Sequence, residues 1–192
     1  SGNVWLDPNR TSPYEFYQFW LNVSDEDAEK YIKIFTLFSR EEIDAKIKQH
    51  KEAPHLRLLQ KTLAKDITIR VHSEADYHAA VEASQILFGK GTTEMLQKLD
   101  ERMLLDVFKG VPQPEVSKTE FEAGIGLLDF LAGKTGIFKS NGEARRMLKD
   151  RAVMINKNKI DENYQLDRRD LLNNRYILVQ KGKKNYFLVK IV

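Results

Sequence analysis

The first 110 residues follow a helical pattern, in which apolar positions recur every three or four residues. In DEDAEKYIKIFTLF the recurring apolar residues are Ala28, Tyr31, Ile32, Phe35 and Phe38. Side chains able to cap free backbone N–H groups mark helix starts at Ser24 with Asp27, Ser39 with Glu42, and Ser73 with Asp76. Proline is tolerated in a first helical turn, so Pro54 is predicted to begin another helix. The pattern predicts an all-α helical bundle.

The spacing of apolar residues changes after GVPQPEVSK, where Pro112 and Pro114 stop both helices and central strands. Beyond it, Ser140 with Glu143 opens a short helix, and Ala152 to Ile155 is a strand candidate. The end of the chain has two β-rich runs, RYILVQ and NYFLVKIV, joined by a glycine-containing turn. The predicted fold class is therefore α+β: a helical bundle over residues 1–111, a linker at 112–117, and a small α+β module over 118–192 that ends in a β-hairpin.

The charge changes sign near the same place. Residues 1–115 hold 15 Lys and Arg against 19 Asp and Glu, whereas residues 116–192 hold 16 against 9, a net charge of +7. A local excess of this kind suits a partner with a dense phosphate backbone. A basic surface alone leaves two partners open, nucleic acid and an anionic membrane.

The most basic stretch is KSNGEARRMLKDRAVMIN, from Lys139 to Asn156. At 100° per residue its helix directs Ala144, Met147 and Leu148 to one side and Arg145, Arg146 and Lys149 to the other. Lys139 and Asn141 lie at the amino-terminal end, where free N–H groups and the helix dipole attract anions. Ser140 is expected to act as a helix cap first and as a phosphate ligand second. An ordinary solvated helix face is the alternative interpretation.

The turn Lys181-Gly182-Lys183-Lys184 supplies a second basic cluster at the predicted hairpin tip. Lysines at such a place also protect a strand edge from unwanted pairing, which is the alternative. Two basic clusters on one small module favour the binding of a polyanion, because each adds phosphate contacts to the same ligand.

Other chemistry finds little support in the sequence. GKTG at Gly133–Gly136 lacks the glycine that a phosphate loop needs five positions earlier, where Leu128 stands. The four histidines never form the HExxH spacing and no cysteine joins them, so we expect no metal site and give them surface or capping roles: His50, His55, His72 and His78. No catalytic grouping can be singled out.

Packing and location can also be predicted from composition. An aromatic run is expected to serve core and interface packing rather than a ligand site: Tyr14, Phe16, Tyr17, Phe19 and Trp20. The absence of cysteine excludes disulfides, and no stretch approaches the roughly 20 apolar residues of a membrane span. We therefore expect a cytoplasmic protein. The chain begins with Ser1 and Gly2, without a methionine, which is expected of a processed product, an expression scar or a fragment of something longer.

Four further stretches stand out along the chain: GNVWLDPNRTSPYEFYQFWLN, REEI, EAPHLRLLQKTLAKDIT and KGKKNYFLVK. Together they resemble the carboxy-terminal half of the bacterial tyrosyl-tRNA synthetases, and the resemblance covers essentially the whole chain. The part TSPYEFYQFWLN is the most specific. KSNGEARRMLKDRAVMIN is a weaker signal, because that small RNA-binding module recurs in ribosomal proteins, pseudouridine synthases and heat-shock proteins.

The resemblance implies an anticodon-binding type of helical domain at residues 1–111. It also implies an RNA-binding module that helps to hold the long variable arm and anticodon side of tyrosine tRNA. The expected RNA-binding residues are Lys139, Ser140, Asn141, Arg145, Arg146, Lys149, Arg151, Lys181, Lys183 and Lys184. Many copies of the module have a glycine-rich turn after the basic helix and then Asn-Gly. This chain has Asp150-Arg151-Ala152 and Asn156-Lys157-Asn158 instead, where asparagine can adopt left-handed geometry and Arg151 can add a phosphate contact.

In this family a catalytic domain with HIGH and KMSKS signatures precedes these parts, and neither signature occurs here. Residues 1–5 resemble the segment just after the KMSKS loop. The resemblance thus implies a piece that is inactive alone and has no cofactor, with ATP and Mg²⁺ needed by the full-length enzyme. We also expect a monomer, since the family dimerises mainly through the catalytic domain. The alternative is a stand-alone RNA-binding or ribosome-associated protein.

Overall fold

The computed structural model describes residues 3–87 and 91–192. Part of the predicted break at Gly89 to Gly91 and the first two residues lie outside these ranges. The chain forms two compact units, Ser1–Ser84 and Gln85–Val192. We call them the first and second units. The second unit begins well before residue 112, where the sequence places the end of its helical domain.

The first unit is built from α-helices, as predicted. They are α1 (Pro13–Leu21), α2 (Asp25–Phe35), α3 (Arg40–Glu52), α4 (Leu58–Val71) and α5 (Glu74–Leu87), the last of which ends just beyond the unit. Helix α4 is central and packs against α1, α2 and α3. Its Leu59 and Leu63 are fully buried, as are Phe16 of α1 and Ile32 of α2. Burial of these apolar side chains is the main source of the unit's stability.

The predicted helix starts are confirmed at three serines. The hydroxyl oxygens of Ser24, Ser39 and Ser73 each accept the backbone N–H of the residue three positions later. At Ser39 the carboxylate of Glu42 also accepts the serine N–H, with 2.7 Å between the nitrogen and Oε2. This reciprocal pair satisfies two N–H groups that a helix otherwise leaves free.

The prediction at Pro54 is only partly right. Pro54 begins a short 3₁₀ turn, Pro54–Leu56, and α4 starts later, at Leu58. Between them Arg57 has a φ of 53°, in the left-handed region, which ends the turn before the α-helix can continue.

The second unit contains a mixed sheet in the part of the chain that the structure describes. Its strands are β1 (Glu115–Val116), β2 (Val153–Ile155), β3 (Asn158–Lys159), β4 (Tyr176–Lys181) and β5 (Asn185–Ile191), in the order β1-β5-β4-β2-β3. Strand β1 runs parallel to β5, and the other neighbours are antiparallel. The predicted strand before Asn156 and the predicted terminal hairpin are confirmed. Together the two units have the predicted α+β fold class.

Helices cover one face of this sheet. They are α8 (Lys118–Glu122) and α9 (Asn141–Lys149), with a π-helical turn at Asp129–Lys134 between them. Residues from these elements and from alternate strand positions form one apolar core: Phe121, Phe130, Leu131, Ala144, Leu148, Val153, Ile155, Ile177, Val179 and Val189. Side chains alternate between the two faces of a strand, so those at the intervening strand positions point to the opposite face of the sheet.

The second face meets residues that precede the prolines, in α6 (Thr93–Gln97) and α7 (Glu101–Val107). The Thr93 hydroxyl of α6 donates to the Asn156 carbonyl over 2.7 Å. The rings of Phe108 and Tyr186 lie 5.7 Å apart, and the Tyr176 hydroxyl donates to Glu101 over 2.8 Å. Leu178 and Leu188, which point to this side, are fully buried. Residues 93–108 therefore pack with the sheet, although the helical pattern of the sequence had grouped them with the bundle.

The segment 112–117, predicted as a linker, forms one edge of the sheet. The carbonyl oxygens of Pro112 and Pro114 accept the N–H groups of Leu188 and Lys190, at 3.0 and 2.9 Å. Strand β1 then continues the pairing along β5. Proline has no N–H to give a further neighbour, so it is tolerated at a sheet edge but not at its centre.

Candidate nucleic-acid interface

Helix α9 presents the two faces predicted from its sequence. Ala144 and Leu148 are fully buried in the core of the second unit, and Met147 is half-buried. Arg145, Arg146 and Lys149 are exposed on the other side. We call these three residues the basic ridge. The helix starts as predicted, with the Ser140 hydroxyl accepting the Glu143 N–H.

The basic ridge has no acidic partner among the residues that the structure describes. In the described part of the chain, Arg145, Arg146 and Lys149 form no ion pair and no side-chain hydrogen bond. Arg145 and Lys149 are four residues apart, so two like charges lie side by side on the helix surface and destabilise it slightly. A bound anion would remove that repulsion. The ridge is thus a surface on which a polyanion is favourable.

The amino-terminal end of α9 was expected to attract anions, but a carboxylate of the chain already occupies it. The carboxylate of Glu143 already lies there, where its Oε2 accepts the Lys139 N–H over 2.8 Å. Its Oε1 accepts a hydrogen bond from the Lys181 ammonium, also over 2.8 Å. The hydrogen bond from Lys181, followed by that from the Lys139 backbone, lowers the pKa of Glu143. Lys139 and Asn141 are exposed beside this carboxylate, which would repel a phosphate at the helix end.

Lys181 is placed differently from the sequence expectation. It is the last residue of β4, and its side chain is 21% exposed. Besides Glu143, its ammonium contacts the Ile137 carbonyl at 3.4 Å and lies 4.6 Å from the centre of the Phe138 ring. Lys181 thus joins the hairpin to α9 and is occupied within the fold. The ammonium of Lys181 is therefore less available to a phosphate than those of Lys183 and Lys184, which are exposed.

The hairpin tip lies beside the carboxy-terminal end of α9. We use this name for Lys183 and Lys184, which are exposed and follow Gly182. The Gly182 N–H donates to the Ala152 carbonyl over 2.7 Å, which fixes the turn against the residues after the helix. Gly182 has a φ of 67°, a conformation that glycine adopts without strain. The structure therefore brings the hairpin tip and the end of the basic ridge together.

Arg151 lies between these two clusters. It is exposed, and its φ of 50° is in the left-handed region. Asn156 and Lys157 are left-handed too, with φ of 47° and 71°, in the tight turn between β2 and β3. The expectation that asparagine can adopt left-handed geometry here is thus confirmed at Asn156, while Lys157 takes the place of the glycine in the Asn-Gly of many copies. In Asp150-Arg151-Ala152, which replaces the glycine-rich turn of many copies, Arg151 has the left-handed conformation.

Two further lysines, Lys157 and Lys159, were not among the expected RNA-binding residues and lie in and just after the turn between β2 and β3. Lys159 is exposed on the edge strand β3. Lys157 donates to the Tyr186 hydroxyl over 2.8 Å and lies 4.5 Å from the centre of that ring, so it is largely occupied. The turn is held by Asn156, whose side-chain amide donates to the Asp170 carbonyl and accepts the Leu178 N–H. The repeated pattern of Asn and Lys in NKNK was the available signal.

In the first unit the aromatic run serves the core, as predicted. Tyr14, Phe16, Tyr17 and Trp20 are buried. Phe19 is 40% exposed and lines an apolar groove of about 570 Å³ together with residues of α2 and α4. The prediction of an additional interface role stays a prediction.

The surface or capping role predicted for the histidines is wrong for His50. Its ring is 1% exposed, and Nε2 lies 3.1 Å from Asp25 Oδ1. Gln60 donates to the same oxygen, and this hydrogen bond is the main reason that the pKa of Asp25 is lowered. His50 is therefore a buried anchor for the start of α2. Within the described ranges no three potential metal ligands converge, and no helix is long and apolar enough to cross a membrane.

Comparison with known proteins agrees with this arrangement. Residues 1–89 match the family model described as tRNA synthetases class I (W and Y). Residues 104–189 match the model described as the tyrosine–tRNA ligase SYY-like C-terminal domain. The fold and the two matches place the chain among the class I aminoacyl-tRNA synthetases.

Individual relatives narrow this class. The chain is 54% identical over 191 residues to a tyrosine–tRNA ligase of Flavobacterium johnsoniae, with 100% of this chain and 44% of the relative covered. It is 59% identical over 190 residues to that of Porphyromonas gingivalis, with 98% and 44% covered. The chain belongs to the tyrosyl-tRNA synthetase family and corresponds to its carboxy-terminal part. It spans less than half the length of these relatives.

Proposed function

We propose that this chain is the tRNA-binding carboxy-terminal portion of a tyrosine–tRNA ligase. It would hold tyrosine tRNA by the anticodon side and the long variable arm while a catalytic domain outside this chain attaches the amino acid. The observation that carries the proposal is the basic ridge, because its three cations have no acidic partner in the described residues and lie beside the exposed lysines of the hairpin tip.

RNA is the polyanion that suits this surface. An A-form helix displays phosphates and 2′-hydroxyls, while its major groove is too narrow for side chains to read. A ridge of exposed arginine and lysine can follow such a backbone without reading bases. The family membership supports the same ligand, and it makes the stand-alone RNA-binding protein the less favoured interpretation.

Other properties of the whole enzyme follow from the proposal. ATP and Mg²⁺ would be bound by the part of the ligase that this chain does not contain. Dimerisation would also use that part, so the chain alone would be a monomer, and its place of action would be the cytoplasm with the rest of translation.

The test is to measure the affinity of the chain for tyrosine tRNA and to map the nucleotides that it protects. Arg145→Ala with Arg146→Ala should weaken binding by about ten-fold or more, the effect of one or two lost charge-assisted hydrogen bonds. Lys183→Gln with Lys184→Gln should reduce the slope of log affinity against log salt by about 0.7 to 0.9 per lost phosphate contact.

The matched control is Lys30→Ala with Lys33→Ala, which removes two exposed cations from α2 of the first unit. This control should leave the affinity close to that of the parent. An equal loss of affinity in Arg145→Ala with Arg146→Ala and in Lys30→Ala with Lys33→Ala would mean that only net charge matters. Protection confined to the acceptor stem, or no protection at all, would contradict the proposal.

A further inference from the structure

Two arginines of this chain have left-handed backbone conformations, Arg57 with a φ of 53° and Arg151 with a φ of 50°. In this region the Cβ atom comes too close to the following carbonyl oxygen, which destabilises the conformation for an ordinary residue. Only glycine escapes that cost fully. A non-glycine residue held in such a conformation calls for a compensating contact.

The fold explains the conformation of Arg57. Its guanidinium donates to the carbonyl oxygens of Leu21 and Val23, over 2.8 and 3.0 Å. These acceptors lie at the end of α1 and just before α2, where helix carbonyls otherwise lack partners. The strained arginine is therefore compensated inside the first unit.

The turn at Arg151 has the geometry that normally selects glycine. After α9, the Ala152 N–H donates to the Met147 carbonyl over 2.9 Å, and the Arg151 N–H donates to the Leu148 carbonyl over 3.0 Å. This pair of bonds defines the Schellman motif, in which the residue at Arg151's place is usually glycine. The backbone bonds would form equally well with glycine, so they do not explain the arginine.

Within the described residues, the side chain of Arg151 has no compensating contact. It is exposed, and among the described residues its guanidinium meets no carboxylate, carbonyl or aromatic ring. The structure thus holds a strained backbone and an unused cation at one position. Strain of this kind that persists without structural benefit is typical of functional positions.

The position of Arg151 suggests what the cation is for. The Ala152 carbonyl next to it accepts the Gly182 N–H, so Arg151 lies where the turn after the basic ridge meets the turn that carries the hairpin tip. Lys149 precedes it by two residues, and Lys183 follows Gly182 directly. A cation here makes one continuous basic surface out of two separate clusters.

We propose that Arg151 binds a backbone phosphate of the RNA between the basic ridge and the hairpin tip, and that it is kept there at a cost in folding stability. This inference rests on the proposed function, since RNA is the ligand. It predicts that the residue best for the fold and the residue best for binding differ at this position. Glycine suits the turn, and arginine suits the phosphate.

The experiment compares Arg151→Gly and Arg151→Lys with the parent in thermal unfolding and in binding to tyrosine tRNA. Arg151→Gly should raise the Tm by about 2–4 °C, because it relieves the left-handed strain. It should weaken tRNA binding about ten-fold at low salt, the effect of one charge-assisted hydrogen bond. The salt slope should fall by about 0.7 to 0.9. Arg151→Lys keeps both charge and strain, so it should remain near the parent in Tm and in salt slope.

Arg57→Gly is the matched control for stability. It changes the same residue type in the same backbone conformation, but it removes the two bonds to the Leu21 and Val23 carbonyls. Its Tm should fall rather than rise. Opposite signs for the two arginine-to-glycine changes would show that only Arg57 is retained for the fold.

Each contrary outcome is decisive. If Arg151→Gly binds as tightly as the parent while Arg145→Ala with Arg146→Ala weakens binding, the inference is overturned and the proposed function stands. A lower Tm for Arg151→Gly would show that the side chain supports the fold, which also overturns it. If the parent itself does not bind tyrosine tRNA, both the inference and the proposed function fail.

Discussion

The two units use their basic residues in different ways. The first unit has a net charge of −3, and several of its cations are bonded within it: Arg57 to two carbonyls, Arg70 to Asp66, and Lys51 to Glu29. The second unit has a net charge of +6 and also contains internal pairs, such as Lys181 with Glu143. Its basic ridge, however, is left without partners in the described residues.

The difference shows that pairing is more informative about function than net charge. A cation whose donors are filled by carbonyls or carboxylates contributes to the fold, although an exposed pair contributes little. A cation that is exposed and unpaired is available to a ligand, and it marks a polyanion surface only where exposed cations of a neighbouring element lie beside it, as the hairpin tip lies beside the basic ridge. By this criterion Arg145, Arg146 and Lys149 are stronger candidates for RNA contacts than Lys181, whose ammonium is bonded within the fold.

The largest expected effect comes from placing a charge in the core of the second unit. Leu148→Asp puts a carboxylate where the side chain is fully buried, which should cost more than about 4 kcal/mol and unfold that unit. Hydrogen exchange should show that α9 and β4 lose protection while α1 and α4 keep it. The mirror change, Leu63→Asp, should do the reverse. Loss of protection in both units from either change would show that they do not fold separately.

A smaller effect is expected from the helices that cover the second face of the sheet. Leu104→Ala in α7 removes a fully buried side chain and should destabilise the second unit by about 2–5 kcal/mol. The exchange of β4 and β5 amides should accelerate. Leu37→Ala, at a side chain that is 86% exposed, is the control and should change stability by less than about 0.5 kcal/mol. Faster amide exchange in α1 and α4 instead would show that α7 stabilises the helical bundle rather than the sheet.

The smallest effect concerns Glu143 and depends on pH. Its pKa is lower in the folded protein than in the unfolded chain, so folding favours its ionised form. The stability it contributes is complete above the ordinary glutamate pKa of 4.5 and is lost as pH falls through the lowered value. Glu143→Gln should therefore destabilise the second unit at pH 7 and reduce the acid dependence measured by urea unfolding. Glu162→Gln, at an exposed glutamate, is the control and should have the stability and the acid dependence of the parent. An unchanged acid dependence in Glu143→Gln would count against this assignment.

Features set by neighbouring residues were predictable from the sequence. The serine caps of α2, α3 and α9, the two faces of α9 and the terminal hairpin depend on residues a few positions apart. Local periodicity and capping chemistry contain that information. The basic ridge was predictable for the same reason.

Features set by distant residues were not predictable. Lys181 meets Glu143 across 38 positions, and His50 meets Asp25 across 25. Nothing in the local pattern distinguishes a helix of the bundle from one that packs with a sheet, so the sequence grouped α6 and α7 with the bundle, whereas the structure divides the chain at residue 84. The left-handed Arg151 was also hidden, because arginine rarely adopts that conformation and only the backbone bonds around it show the motif.

The packing of α7 on the hairpin has a consequence for synthesis of the chain. Tyr176 meets its partner Glu101 across 75 positions, so α7 leaves the ribosome long before the strands that will cover it. At about 5–20 residues per second, its apolar side chains wait roughly 4–15 seconds for that hairpin. Leu104, Val107 and Phe108 would be open to chaperones during this interval. Completion of the second unit is thus timed by translation of its last residues.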